Sequence, residues 1–118
     1  FCEWEDFGTS SCESVDYPDY IHPLAKKIAL SEDLKGIIIC GSGNGVAMTA
    51  NKHSNVRAAL CWSPEIAALA RKHNNANILA LPARFISHET AFNIINTFFS
   101  TDFEGGRHLF RVNKINIQ

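Results

Sequence analysis

The 118-residue sequence predicts an α/β fold, with a parallel sheet joined by crossover helices. Two observations predict it. Short apolar runs ending at Cys40, Cys61 and Leu81 alternate with segments of helical periodicity, and helix-start signals follow those runs at Ser63-Pro64-Glu65 and Ser87. In addition, three of the seven glycines fall at 41, 43 and 45, directly after the most β-branched run, where a strand would hand over to a helix.

In chain order, Glu3–Phe7 is expected to be the end of a strand closed by Gly8-Thr9-Ser10. Tyr17–Leu30 reads as a helix with Pro18 in its first turn and Leu24 and Ile28 on its buried face. Gly36–Cys40 is a buried strand, and a helix follows from Val46. Val56–Cys61 is another apolar strand. Ser63, Pro64 and Glu65 then supply an N-cap, a first-turn proline and a carboxylate near the helix dipole, opening a helix to about His73. Asn77–Leu81 is a further short strand, and Ser87 caps a helix to about Ser100 with apolar contacts from Phe92, Ile95, Phe98 and Phe99. The tail, 101–118, interleaves Arg107, His108, Arg111 and Lys114 with Leu109, Phe110, Val112 and Ile115. No repeat, low-complexity tract or linker divides the chain, so residues 1–118 read as a single domain.

The run Gly36–Gly45 supports two readings. Alternating glycines let backbone N–H groups approach a ligand, and a following helix N-terminus favours an anion, so the loop suits a phosphate or an oxyanion. A plain strand-to-helix turn has the same pattern. The loop lacks the Gly-Lys-Ser/Thr ending of a phosphate-binding P-loop and the glycine spacing of the dinucleotide fingerprint. Cys40, delivered to this loop by the strand, is a nucleophile or base where a dipole would lower a thiol pKa, or a cysteine simply buried at a strand end.

Composition excludes several classes. The formal charge of −1 argues against a general nucleic-acid binder or a membrane-surface protein, and no apolar run approaches the ~20 residues that span a bilayer. Cys2, Cys12, Cys40 and Cys61 form no Cys-x-x-Cys pair, which argues against a zinc knuckle or a thioredoxin-type motif and fits reduced thiols in the cytoplasm. No His/Cys/carboxylate cluster has ligand spacing, so neither a metal nor another cofactor is expected.

Arg107 and Arg111 lie four apart, on one face if helical, where two guanidinium groups would clamp a phosphate or form a solvated cationic face. His73 falls at a helix end ahead of a strand. Ligands of a parallel sheet bind at the carboxyl ends of the strands, so topology alone does not bring His73 to Cys40, although a second subunit could do so. The alternative role for His73 is a cation complementing a helix C-terminus.

Seven motifs occur in order: Asp6-Phe7-Gly8-Thr9, Val15-Asp16-Tyr17-Pro18-Asp19-Tyr20, Gly36-Ile37-Ile38-Ile39-Cys40-Gly41-Ser42-Gly43-Asn44-Gly45, Ala50-Asn51-Lys52, Arg57-Ala58-Ala59-Leu60-Cys61, His73-Asn74-Asn75-Ala76-Asn77 and Phe103-Glu104-Gly105-Gly106-Arg107-His108. In this order they resemble the ribose-5-phosphate isomerase B family, which includes the galactose-6-phosphate isomerase subunits. Together they cover essentially the whole chain.

The resemblance implies a Rossmann-like α/β/α domain whose C-terminal helix packs on a partner subunit, in a homodimer or dimer of dimers with active sites built from both chains. It implies aldose–ketose interconversion of a sugar phosphate through an enediolate, with ribose 5-phosphate and ribulose 5-phosphate as the leading pair. Cys40 matches the position of the base in cysteine-type members, and Val46 stands where other relatives carry a glutamate. Ser42 resembles the hydroxyl that moves protons between the two oxygens, His73 the ring-opening residue, and Asn74 a group holding the enediolate or substrate hydroxyls. Tyr17 and the loop of Gly41, Gly43, Asn44 and Gly45 match substrate-binding positions. Arg84, Arg107, Arg111 and His108 match phosphate-binding positions. A hexose-6-phosphate isomerase subunit and a non-catalytic phosphosugar- or nucleotide-binding module are the alternatives. The family also begins with a strand ending in Asp-His and a helix, ahead of the segment opening this chain. The chain is therefore expected to be N-terminally incomplete, with the middle of the sheet missing and edges exposed.

Overall fold

The computed structural model describes residues 3–117, so Cys2 lies outside the described residues. The elements are α1 (Pro18–Ala29), β1 (Gly36–Cys40), α2 (Asn44–Ala50), β2 (Ala58–Leu60), α3 (Pro64–Asn74), β3 (Ile78–Pro82), α4 (His88–Ser100) and α5 (Arg107–Val112). The three strands form a parallel sheet in the order β1-β3-β2. The chain steps two positions across through α2 and one position back through α3. Right-handed crossovers in opposite directions put the connecting helices on opposite faces of the sheet.

Side-chain packing follows that rule. Ile38, Ile78, Ala80 and Val46 share a core with Ile21, Ala25 and Ile28 of α1, and Leu60 packs against it. The alternate residues Leu79 and Leu81 share the other core with Ala67 and Ala70 of α3 and Ile94 and Phe98 of α4. The result is a three-layer α/β/α arrangement. β3, covered on both faces and paired on both edges, is buried along its whole length, which is why its sequence reads Ile-Leu-Ala-Leu-Pro without polar alternation.

Helix starts follow the local signals. Ser63 Oγ accepts from the Ile66 N–H and Ser87 Oγ from the Thr90 N–H, capping α3 and α4, while Pro18 and Pro64 occupy first-turn positions.

Several expectations need correction. Glu3–Phe7 forms no strand: among the described residues β1 pairs only with β3, and this segment and β1 instead line a groove of about 610 Å³. Without a ladder partner, and with three carboxylates in five residues, this segment remains irregular. Val56–Cys61 shortens to Ala58–Leu60, because the Asn51 side chain brackets Ala58 with two hydrogen bonds and takes the place of a neighbouring strand there. α2 begins at Asn44, two residues earlier than Val46, because Gly43 supplies a left-handed N-cap. Phe92 is exposed and Ile94 takes its place in the core. Among the described residues of the tail, only Arg107–Val112 is helical. It packs on α3 of the same chain and leaves Phe110 exposed. Among the described residues, no helix is long and apolar enough to cross a membrane.

Arg71 ties the α3 end of this structure together. It is buried, donates through Nε to the Thr101 carbonyl (3.0 Å) and through Nη1 to Asn75 Oδ1 (3.0 Å) and the Ala76 carbonyl (2.6 Å), and its guanidinium lies 5.7 Å from the Phe98 ring centroid. Burial lowers its pKa and Asp102 partly offsets that. Replacing Arg71 by methionine keeps the volume and leaves the Thr101 and Ala76 carbonyls unpaired. The expected cost is about 3 kcal/mol of stability, seen as a fall in thermal midpoint of about 10 °C by circular dichroism.

Candidate active site

The carboxyl edge of the sheet collects one group of the motif residues. β1 delivers Cys40, half-buried, to the loop. Beyond the strand ends the pairing of β1 with β3 continues, as Ala83 N–H donates to the Cys40 carbonyl (2.9 Å) and Arg84 N–H to the Gly41 carbonyl (3.0 Å). These bonds carry the Arg84 side chain over the loop, where a Cβ on Gly41 would lie 3.1 Å from Arg84 Nε.

Gly43 has φ +79°, and a Cβ there would lie 2.5 Å from Leu60 Cδ1, so both conformation and space require glycine. Gly45 is covered by Tyr17, whose phenol ring occupies the position of a side chain at 45. Ser42 is exposed and its Oγ accepts from Asn44 N–H at 3.3 Å. α2 is only seven residues long, so anion affinity here rests on the individual loop N–H groups more than on a long helix dipole. Tyr17, Cys40, the loop Gly41–Gly45 and Arg84 thus form one contiguous cluster.

A second cluster is built from α3 and α5. His73 is in the last turn of α3, and its ring stacks on that of His108 with centroids 4.3 Å apart and planes 14° apart. Glu104 Oε1 lies 3.6 Å from His108 Nε2 and 4.0 Å from His73 Nε2. Its backbone N–H donates to the Lys72 carbonyl at 3.1 Å, which pins it beside α3. Desolvation lowers the His108 pKa, and His73, Arg107 and Arg111 lower it further against the opposing carboxylate of Glu104. Arg107 and Arg111 are exposed on α5, and Asn74 is exposed at the end of α3.

The two clusters do not meet within one chain. α3 leaves the carboxyl end of β2 and returns to the amino end of β3, so His73 sits at the sheet edge opposite Cys40.

Three features of the structure carry little signal in the sequence. Arg71 fixes the α3 terminus that carries His73, and an arginine inside a helix gives no spacing signal of such a role. Glu104 lies four residues before His108, a helical spacing that hinted at their contact. The triplet His73, Glu104 and His108 corrects the statement that no cluster has ligand spacing, because donor atoms separated by 31 and 4 positions in sequence converge to within 4.8 Å. Conversely, several motif residues are structural. Asn75 is a left-handed C-cap with φ +48°, Asn77 bonds to the backbone of Asn55 and Arg57, and Asn51 brackets Ala58. Cys61 is fully buried, and burial pushes its thiol up to about 11.

The family model described as Ribose/Galactose Isomerase matches residues 1–115. The chain is 42% identical over 110 residues to ribose-5-phosphate isomerase B of Escherichia coli, an alignment covering 93% of this chain and 74% of that protein. Its fold superimposes on the crystal structure of a ribose 5-phosphate isomerase from Thermotoga maritima with a TM-score of 0.90 at 54% identity, covering 94% of this chain and 77% of that one. It also superimposes on ribose-5-phosphate isomerase B from Mycoplasma genitalium with bound ribulose-5-phosphate, with a TM-score of 0.89 at 45% identity, covering 93% and 74%.

Proposed function

Because this chain belongs to the ribose/galactose isomerase family, we propose that it interconverts ribose 5-phosphate and ribulose 5-phosphate by proton transfer through an enediolate. The observation that carries this reading is the Cys40 cluster. A half-buried thiol at a strand end adjoins a glycine loop, with an arginine over the loop and a tyrosine against it.

In this mechanism His73 assists opening of the sugar ring, and the Cys40 thiolate removes the proton from C2 of the aldose. The C1 carbonyl electrons move onto O1 as the C1–C2 double bond forms. Loop N–H groups at Gly41–Gly45 stabilise that oxygen, each donor contributing about 3–4 kcal/mol in comparable oxyanion holes. Ser42 passes the O2 proton to O1, Cys40 returns its proton to C1, and the ketone forms at C2. Asn74 and Tyr17 hold the substrate hydroxyls and carbon chain. Arg84, Arg107 and Arg111, with His108, bind the phosphate through charge-assisted hydrogen bonds.

The complete site is shared between two copies. The Cys40 cluster of one chain receives His73, Asn74, Arg107, His108 and Arg111 from α3 and α5 of the other, within a homodimer or a dimer of dimers. Exposed Phe85 (75%), beside Arg84, and Phe110 (70%), beside Arg111, supply apolar surface for that contact. A catalytic free thiol fits the reducing cytoplasm.

The test is conversion of ribose 5-phosphate by the purified chain, followed by ribulose 5-phosphate formation. Turnover is the expected result. Turnover only on allose or galactose 6-phosphate would reassign the substrate, and phosphosugar binding without turnover on any of them would reduce the chain to a binding module.

A further inference from the structure

We propose that His73, Glu104 and His108 form a binding site for a borderline divalent cation of the zinc class, and that metal bound there inhibits the enzyme. The three side chains each offer a donor atom, all within 4.8 Å of one another. A tetrahedral zinc with bonds of about 2.0–2.1 Å holds its ligand atoms about 3.4 Å apart. The Nε2–Oε1 separations of 3.6 and 4.0 Å are already close to that value. The two rings are stacked with planes 14° apart, so one imidazole must turn out of the stack for both lone pairs to point at a single ion. Two imidazoles and one carboxylate are a common protein donor set for such an ion, and the fourth position stays open to water or substrate.

The backbone holds these donors together independently of any metal. Glu104 is tied to α3 through the Lys72 carbonyl, and Arg71 ties Thr101 to the same helix. The parallel stack of His73 on His108 is unfavourable for two imidazolium ions, and desolvation also favours neutral His108, the form that ligates metal. Arg107 and Arg111 oppose a dication here, and Glu104 supplies the offsetting charge.

The inhibitory consequence rests on the role given to His73 above, since a metal-bound imidazole cannot assist ring opening. The binding itself does not rest on that reading. Cobalt(II) serves as a spectroscopic probe that separates nitrogen and oxygen ligation from thiolate ligation, which matters in a chain with four cysteines. The expected result is about one Co²⁺ per chain, d–d bands of a low-coordinate site, and no sulfur-to-cobalt charge-transfer band. Glu104→Gln, at an exposed position, and His108→Ala are each expected to weaken binding at least about tenfold. In the presence of a chelator Glu104→Gln keeps its turnover, and it resists concentrations of Zn²⁺ that inhibit the wild type. No cobalt binding, thiolate bands, or binding unchanged in Glu104→Gln would overturn the site. Binding that meets the expectation without inhibition would overturn only the inhibitory role and, with it, the assignment of His73.

Discussion

Replacing Cys40 by alanine is expected to lower kcat for ribose 5-phosphate isomerisation by about 10²–10⁴-fold, the range associated with a positioned proton-transfer group, while KM stays near the wild-type value. The thiol sits at the end of β1, where Ala83 N–H bonds to its carbonyl and not to its side chain, so the backbone that shapes the loop does not depend on sulfur. A smaller residue at this half-buried position leaves the strand and Gly43 undisturbed, and circular dichroism of Cys40→Ala should match the wild type. Cys61→Ala is the control. Its thiol is buried and pushed up to about 11, which keeps it neutral and unreactive at neutral pH, so this substitution is expected to affect stability and leave kcat intact. Loss of turnover in both variants would point to a structural effect and remove Cys40 from the mechanism.

The second large effect is expected from Arg107→Ala/Arg111→Ala. Both arginines are exposed on α5 and are one helical turn apart, so their removal leaves the fold in place. Each charge-assisted contact to the phosphate contributes about 1.5–3 kcal/mol. Their joint loss should lower kcat/KM by about 10²–10⁴-fold, and inorganic phosphate should lose its competitive inhibition to the same degree. A double variant with wild-type kcat/KM would return these residues to a solvated cationic face.

Much of this was legible in the sequence because the signals were local. Ser63, Pro64 and Ser87 fix their helix starts through their own hydroxyls and ring geometry, and the β-branched run before Cys40 forms the expected strand, although at the sheet edge Ile39 is exposed where burial was expected. The misplacements share a cause in non-local contacts. Glu3–Phe7, expected to end a strand, finds no ladder among the described residues. Phe92 looks like core by type, yet the helical phase of α4 turns Ile94 and Phe98 inward. The same limit applied to the site. The loop and Cys40 adjoin in sequence and were read together. The approach of Arg84 to Gly41, the stack of His73 on His108 and the anchoring by Arg71 join segments 30 to 43 residues apart, which no spacing rule reveals. Motif order pointed to Gly41, His73 and His108 without saying which motif residues were structural, and Asn51, Asn75 and Asn77 prove to hold backbone.

The central claim, an active site divided between two chains, is tested most directly by mixing two inactive proteins. Cys40→Ala and Arg107→Ala/Arg111→Ala are each expected to be nearly inactive alone. After subunit exchange, half of the dimers are mixed, and each mixed dimer carries one site with both defects and one with none, so activity should recover to about a quarter of the wild-type value. Recovery of that size supports a shared site. No recovery, with exchange verified by mass spectrometry of differently labelled chains, would show that Cys40 and the α5 arginines act within one chain or not on the same substrate.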